Sequence, residues 1–143
     1  MLDTAEVNRR LTHHLADLQK ASAKRRADID EARQAFETVL EREVAPTVRQ
    51  LAQVLKSRGF NFSVQTPAGA VRLVSDRSSD DFIAFELDVT RRPPAVVAAR
   101  QYTRGRRLID DERIIRDGAA IGSLDAEHVL EALLELIEPF VEK

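Results

Sequence analysis

Residues 1–45 read MLDTAEVNRRLTHHLADLQKASAKRRADIDEARQAFETVLEREVA, with no glycine and no proline, and Pro46 follows at once. All five glycines and all five prolines lie in the rest of the chain. That asymmetry divides the sequence into an uninterrupted helical segment and a turn-rich domain. Asp3, with Glu6 three residues later, forms a capping-box pattern at the start of the helix, and Pro46 is expected to end or kink it. Along the segment Leu11, Leu15, Leu18, Ser22, Arg25, Ile29, Ala32 and Phe36 alternate in spacings of four and three, a heptad seam with polar interruptions at Ser22 and Arg25. Beyond Phe36 the stripe shifts phase to Leu40, Val44, Val48, Leu51 and Leu55. The shift predicts that the distal seam and the proximal stripe face different partners, a coiled-coil mate and the chain's own domain.

A helix of this length spans about 60 Å at ~1.5 Å per residue, whereas the remaining chain makes a globule only about 30 Å across. The globule cannot cover the helix. Leu11, Leu15, Leu18, Ile29 and Phe36 are therefore expected to carry association with another chain. Each large apolar side chain left in water forgoes about 1.5–3 kcal/mol.

From Gly59 the apolar period falls to two. Phe60, Phe62 and Val64 alternate with polar residues, Val71 and Leu73 follow the Pro67–Gly69 turn, and Ile83, Phe85, Leu87 and Val89 alternate with Ala84, Glu86 and Asp88. Val96–Tyr102 reads as a further strand, and another extended piece falls within Arg106–Ile115. A four- or five-stranded antiparallel meander of this kind needs helices over its apolar face. Residues 46–57 supply one. The C-terminal segment supplies another, capped by Asp125, with Val129, Leu130, Leu133, Leu134, Ile137, Phe140 and Val141 on an apolar face and Glu127, Glu131, Glu135, Glu138 and Glu142 forming an acidic stripe. Pro139 marks a kink or the last turn. The expected architecture is α+β: a coiled-coil helix over 1–45 and a compact α+β domain over 46–143, its small antiparallel sheet packed against helices.

Composition limits the function. The net charge is −2 and there is no cysteine, so no disulfide or thiolate metal site arises, and a reducing cytoplasm is the expected setting. The polar first ten residues and the longest apolar run, Ala95–Ala99, fall short of the 7–15 apolar residues of a signal peptide and the ~20 of a spanning helix. Arginine far outnumbers lysine and alanine is abundant, a composition associated with GC-rich bacterial genomes. Residues 91–116 carry eight arginines against three acids, and residues 117–143 carry seven acids against one lysine.

No segment has the spacing of a catalytic, nucleotide or cofactor motif. Asp80, Asp81, Glu86, Asp88, Asp110, Asp111 and Glu112 raise the question of a divalent-metal hydrolase, with Asp81, Glu86 or Asp88 as ligands. Against it, the strands carry no lysine and their alternation puts the carboxylates on the polar face. His13 and His14 are adjacent and point about 100° apart on a helix, so they cannot share a metal as an i, i+4 pair does. The strongest binding stretch is Arg91–Arg107. There Arg104, Arg106 and Arg107 flank Tyr102, a set able to grip phosphates and stack one base, or to pair with glutamates. The expectation is a non-enzymatic cytoplasmic interaction subunit, without cofactor or membrane. It self-associates or joins a larger complex through its N-terminal helix, and presents its α+β domain to a protein partner. A nucleic-acid-binding accessory protein using Arg91–Arg107 is the alternative.

Overall fold

The computed structural model describes residues 1–142. It begins with 54 joined helical residues: α1 (Thr4–Val39), a π-helical turn (Leu40–Val44) and α2 (Ala45–Ser57). Asp3 caps the start, its carboxylate accepting from the Ala5 N–H at 2.7 Å. Glu6 does not reach back to complete the box and pairs instead with Arg9 and Arg10. Five antiparallel strands follow in sequential order, β1 (Phe62–Gln65), β2 (Ala70–Ser75), β3 (Phe82–Asp88), β4 (Ala95–Arg104) and β5 (Arg107–Asp117). A 3₁₀ segment (Gly118–Ser123), α3 (Ala126–Leu136) and the single turn α4 (Glu138–Val141) complete the chain. The fold is α+β, with a meander sheet of five strands covered by helices.

Pro46 does not end the helix. An α-helical Pro46 has no N–H for the Arg42 carbonyl, and its ring would press on that carbonyl. The π turn widens the backbone at this point, and the Ala45 N–H bonds the Leu40 carbonyl five residues back. The same turn absorbs the phase shift of the apolar stripe. Val39 and Val44, five apart, are 5% and 0% exposed. In a regular α-helix they would point about 140° apart, at 100° per residue. The expectation that the two halves of the stripe serve different partners is therefore corrected: Ala32, Phe36 and Val39 share one core with Val44, Val48 and Leu55. Phe36, expected on the association surface, is 3% exposed and belongs to the chain's own core. The compact unit accordingly takes in the helix from about Ile29, and residues 29–45 are part of it rather than of a free rod.

The core lies between this helix, α3 and one face of the sheet. Val71, Leu73, Ile83, Phe85, Val96 and Ala98 alternate inward from β2, β3 and β4, as the period of two requires. A bulge opposite Val96 and Val97 inserts an extra residue in β5, so that Ile115 packs on the core while its neighbour Ile114 stays 47% exposed. The 3₁₀ segment, unmarked by periodicity in the sequence, contributes the fully buried Ile121 and packs beneath α1. Gly118 opens it at φ +50°, where a β-carbon would also come 3.3 Å from Pro93 Cγ.

α3 buries Val129, Ala132, Leu133 and Leu136, a narrower face than the sequence suggests, and leaves Leu130 and Leu134 exposed. Its N-terminus is doubly held. Asp125 accepts from the His128 N–H at 2.9 Å, and Glu43 accepts from the Ala126 N–H at 3.1 Å. The His128 N–H holds the Asp125 carboxyl below its ordinary value of 3.8. A depressed carboxyl contributes stability above the unfolded pKa and loses it as the pH falls through the folded one. Asp125→Ala thus lowers the thermal midpoint at pH 7, and the gap from the parent closes below about pH 3.8. Asp125→Asn, which keeps the cap acceptor, lowers it less. Melting curves across pH check both.

Candidate interaction surfaces

Within residues 1–31 no residue is buried, and only Glu6 and Ile29 are even partly so. Leu11, Leu15 and Leu18 are 51%, 48% and 52% exposed, and Val7 is 47% exposed. The segment Thr4–Asp28 extends about 37 Å at ~1.5 Å per residue without touching the core. Exposure of four large apolar residues at consecutive turns of one helix is unlike the scattered single apolar residues of an ordinary surface. Ile29 stands where this seam reaches the globule. There α1 and the β3–β4 connection Val89–Pro94 wall a groove of about 590 Å³, lined on the helix side by Leu18, Ser22, Arg25 and Ile29.

The arginines are distributed differently from the sequence reading. The β4–β5 hairpin turns at Gly105 and Arg106, with φ +64° at the glycine, and carries Arg104, Arg106 and Arg107 on its exposed tip. Arg104 approaches Glu142 at 3.7 Å, and Arg113 pairs with Glu135. Part of the acidic stripe is thus met by the chain's own arginines. Arg100 donates to both carboxylate oxygens of Asp111 and, at 3.2 Å, to the Leu136 carbonyl, tying the sheet to the end of α3. Tyr102 is not free to stack a base. Its ring packs edge-on against Phe140 at 6.0 Å, and the Arg100 guanidinium lies 5.3 Å from its centroid.

Four of the seven acids considered as metal ligands, Asp81, Asp88, Asp111 and Glu112, are engaged with neighbours. Asp81 accepts from the Thr103 N–H and hydroxyl, Asp88 from Thr90 and Arg91, and Glu112 from Arg91. Hydrogen bonds from Thr90 foremost hold the Asp88 carboxyl below its ordinary range. His128 hydrogen-bonds Asp125 at 2.5 Å, and His13 lies 3.6 Å from Asp17. Among the described residues no group of three or more His, Asp or Glu side chains converges to hold a metal ion. No helix in the described residues is long and apolar enough to cross a membrane.

A second apolar surface escaped the sequence reading. Val54 of α2 and Leu130 of α3 flank a groove of about 430 Å³ floored by Thr47 and Leu51, and Leu134 stands exposed one turn further along α3. The signal was present: the apolar face of α3 is wider than one helix face packed on a sheet can bury. No protein-family model, no curated protein and no solved structure matches this chain.

Proposed function

We propose that this protein is a non-enzymatic interaction subunit that associates through its N-terminal helix and presents the α+β domain to a protein partner. The observation that carries the proposal is the row of half-exposed leucines on a helix that leaves its own globule. Covering a half-exposed leucine recovers roughly 1 kcal/mol, half the gain of burying a fully exposed one. Among the described residues the core does not extend to residues 4–18, and a second polypeptide surface is the cover that the row of leucines calls for. The cytoplasm suits a chain without cysteine, and the exposed hairpin tip with Arg104, Arg106 and Arg107 suits an acidic protein surface.

The test is sedimentation of the full chain beside the variant Leu11→Glu/Leu15→Glu/Leu18→Glu. The parent is expected to sediment above its 16.1 kDa chain mass, or to carry a second protein through purification from its host. Its melting midpoint is expected to rise with protein concentration. The variant is expected to be monomeric, free of the second protein, and to melt at a midpoint independent of concentration. A parent that is monomeric and partnerless, and indistinguishable from the variant, rules the proposal out.

A further inference from the structure

The apolar stripe of α1 does not stop where the core stops. Leu11, Leu15, Leu18, Ser22, Arg25 and Ile29 continue the positions of Ala32 and Phe36, which face the chain's own core. The free seam therefore points to the same side as the globule and runs into the groove beneath Val89–Pro94. A second helix lying parallel in register along this seam would collide with the globule beyond Ile29. It would also set Arg25 against Arg25 across the interface, a like-charge contact in a desolvated position.

We infer that the seam is occupied by a second copy of this chain running antiparallel, with the first turn of each helix seated in the groove of the other. The inference rests on the helix-mediated association proposed above and adds its occupant, direction and register. In antiparallel pairs the two core positions of the heptad face each other, which leaves few registers. One of them matches every residue to a fitting opposite. Leu15 faces Leu18 of the second copy, and Leu18 faces its Leu15, so four leucines meet at the symmetry axis. Leu11 faces the small Ser22 of the second copy, Asn8 faces its Arg25, and Thr4 faces its Ile29 at the mouth of the groove. The charged interruption of the seam thus meets a polar residue rather than a leucine: the Asn8 side-chain carbonyl accepts from the Arg25 guanidinium of the second copy. Sliding one heptad towards the globules sets Leu15 against Arg25 and drives each helix end into the other globule. Sliding one heptad away sets Asn8 against Leu18 and empties the groove. The flanking positions are neutral in the favoured register, with Val7 near Asp28 and His14 near Ala21 of the second copy, so no like charges oppose it.

Area points the same way. A helix strip about 39 Å long and about 10 Å wide covers roughly 400 Å² on each copy, about half of the ~800 Å² per partner of a stable interface. The globules must supply the rest, and the antiparallel arrangement brings each first turn against the other copy's Val89–Pro94 wall.

The chain has no cysteine, so introduced thiols report the arrangement directly. Full-length Leu11→Cys and Ser22→Cys variants, mixed and mildly oxidised, are expected to form an intermolecular disulfide, whereas Ser22→Cys alone stays uncrosslinked. Asn8→Cys with Arg25→Cys behaves in the same way. All four positions lie outside the core, so folding is not at issue. Efficient crosslinking of Ser22→Cys to itself, or a dimer that crosslinks at neither mixed pair, overturns the arrangement while association through the helix still stands. A chain monomeric by sedimentation overturns the second copy as occupant, and loss of every partner of the seam would be needed to overturn the association itself.

Discussion

Truncating Phe36 to alanine is expected to lower the unfolding free energy by about 3–5 kcal/mol, the range for emptying a buried aromatic site. Phe36 sits two turns beyond Ile29, the last seam position lining the groove, yet it is 3% exposed and packed in the core. The seam leucines behave oppositely. Leu18→Ala removes a half-exposed side chain and is expected to change the unfolding of a dilute, dissociated chain by less than about 1 kcal/mol. Urea melts at two protein concentrations separate the effects. Phe36→Ala shifts the midpoint at both, and Leu18→Ala shifts it only where the chain associates. Equal shifts for the two variants at low concentration would mean that Phe36 is not in the core, or that Leu18 is.

Why the sequence placed Phe36 with the leucines is instructive. Spacing alone fixes the face of a helix, not what covers it, and one heptad row runs from Leu11 to Phe36, interrupted only at Ser22 and Arg25 and with no break where the core begins. Coverage depends on the reach of the globule, and the 3₁₀ segment Gly118–Ser123 that extends this reach carries no periodic signal in the sequence. The buried Ile121 and the Pro93–Pro94 connection bring the domain up to about Ile29. The strands, by contrast, were legible almost residue by residue, since Ile83, Phe85 and Leu87 cannot alternate inward except on a sheet with one covered face. The covering helices were legible for the same reason, except that Leu130 and Leu134 were credited to a core too small to take them. Of the arginines, the sequence showed the cluster but not its allocation. Whether Tyr102 is free depends on Phe140, 38 positions later in the chain and 6.0 Å away in space.

The π turn yields the other large effect. Inserting one alanine between Glu41 and Arg42 adds about 100° of rotation to everything N-terminal of it and turns Phe36 and Val39 out of the core. With about 1.5–3 kcal/mol for each large side chain, the expected loss is about 3–6 kcal/mol. Deleting Arg42 acts differently, because a π turn is an α-helix with one residue too many. The deletion leaves Val39 and Val44 four apart on one face, so the core alignment survives, but it places Pro46 inside a regular helix at a cost of about 3 kcal/mol. Combining the deletion with Pro46→Ala is expected to bring stability back to within about 1 kcal/mol of the parent. Pro46→Ala alone changes little, since the spacing of Val39 and Val44 still demands the wide turn. Denaturant melts of the four variants decide between two causes of the irregularity. If Pro46→Ala alone costs as much as the insertion, the proline creates the turn and the core merely follows. If the insertion costs most and the double change least, the core sets the geometry, and the proline occupies a turn that the packing of two helix faces already requires.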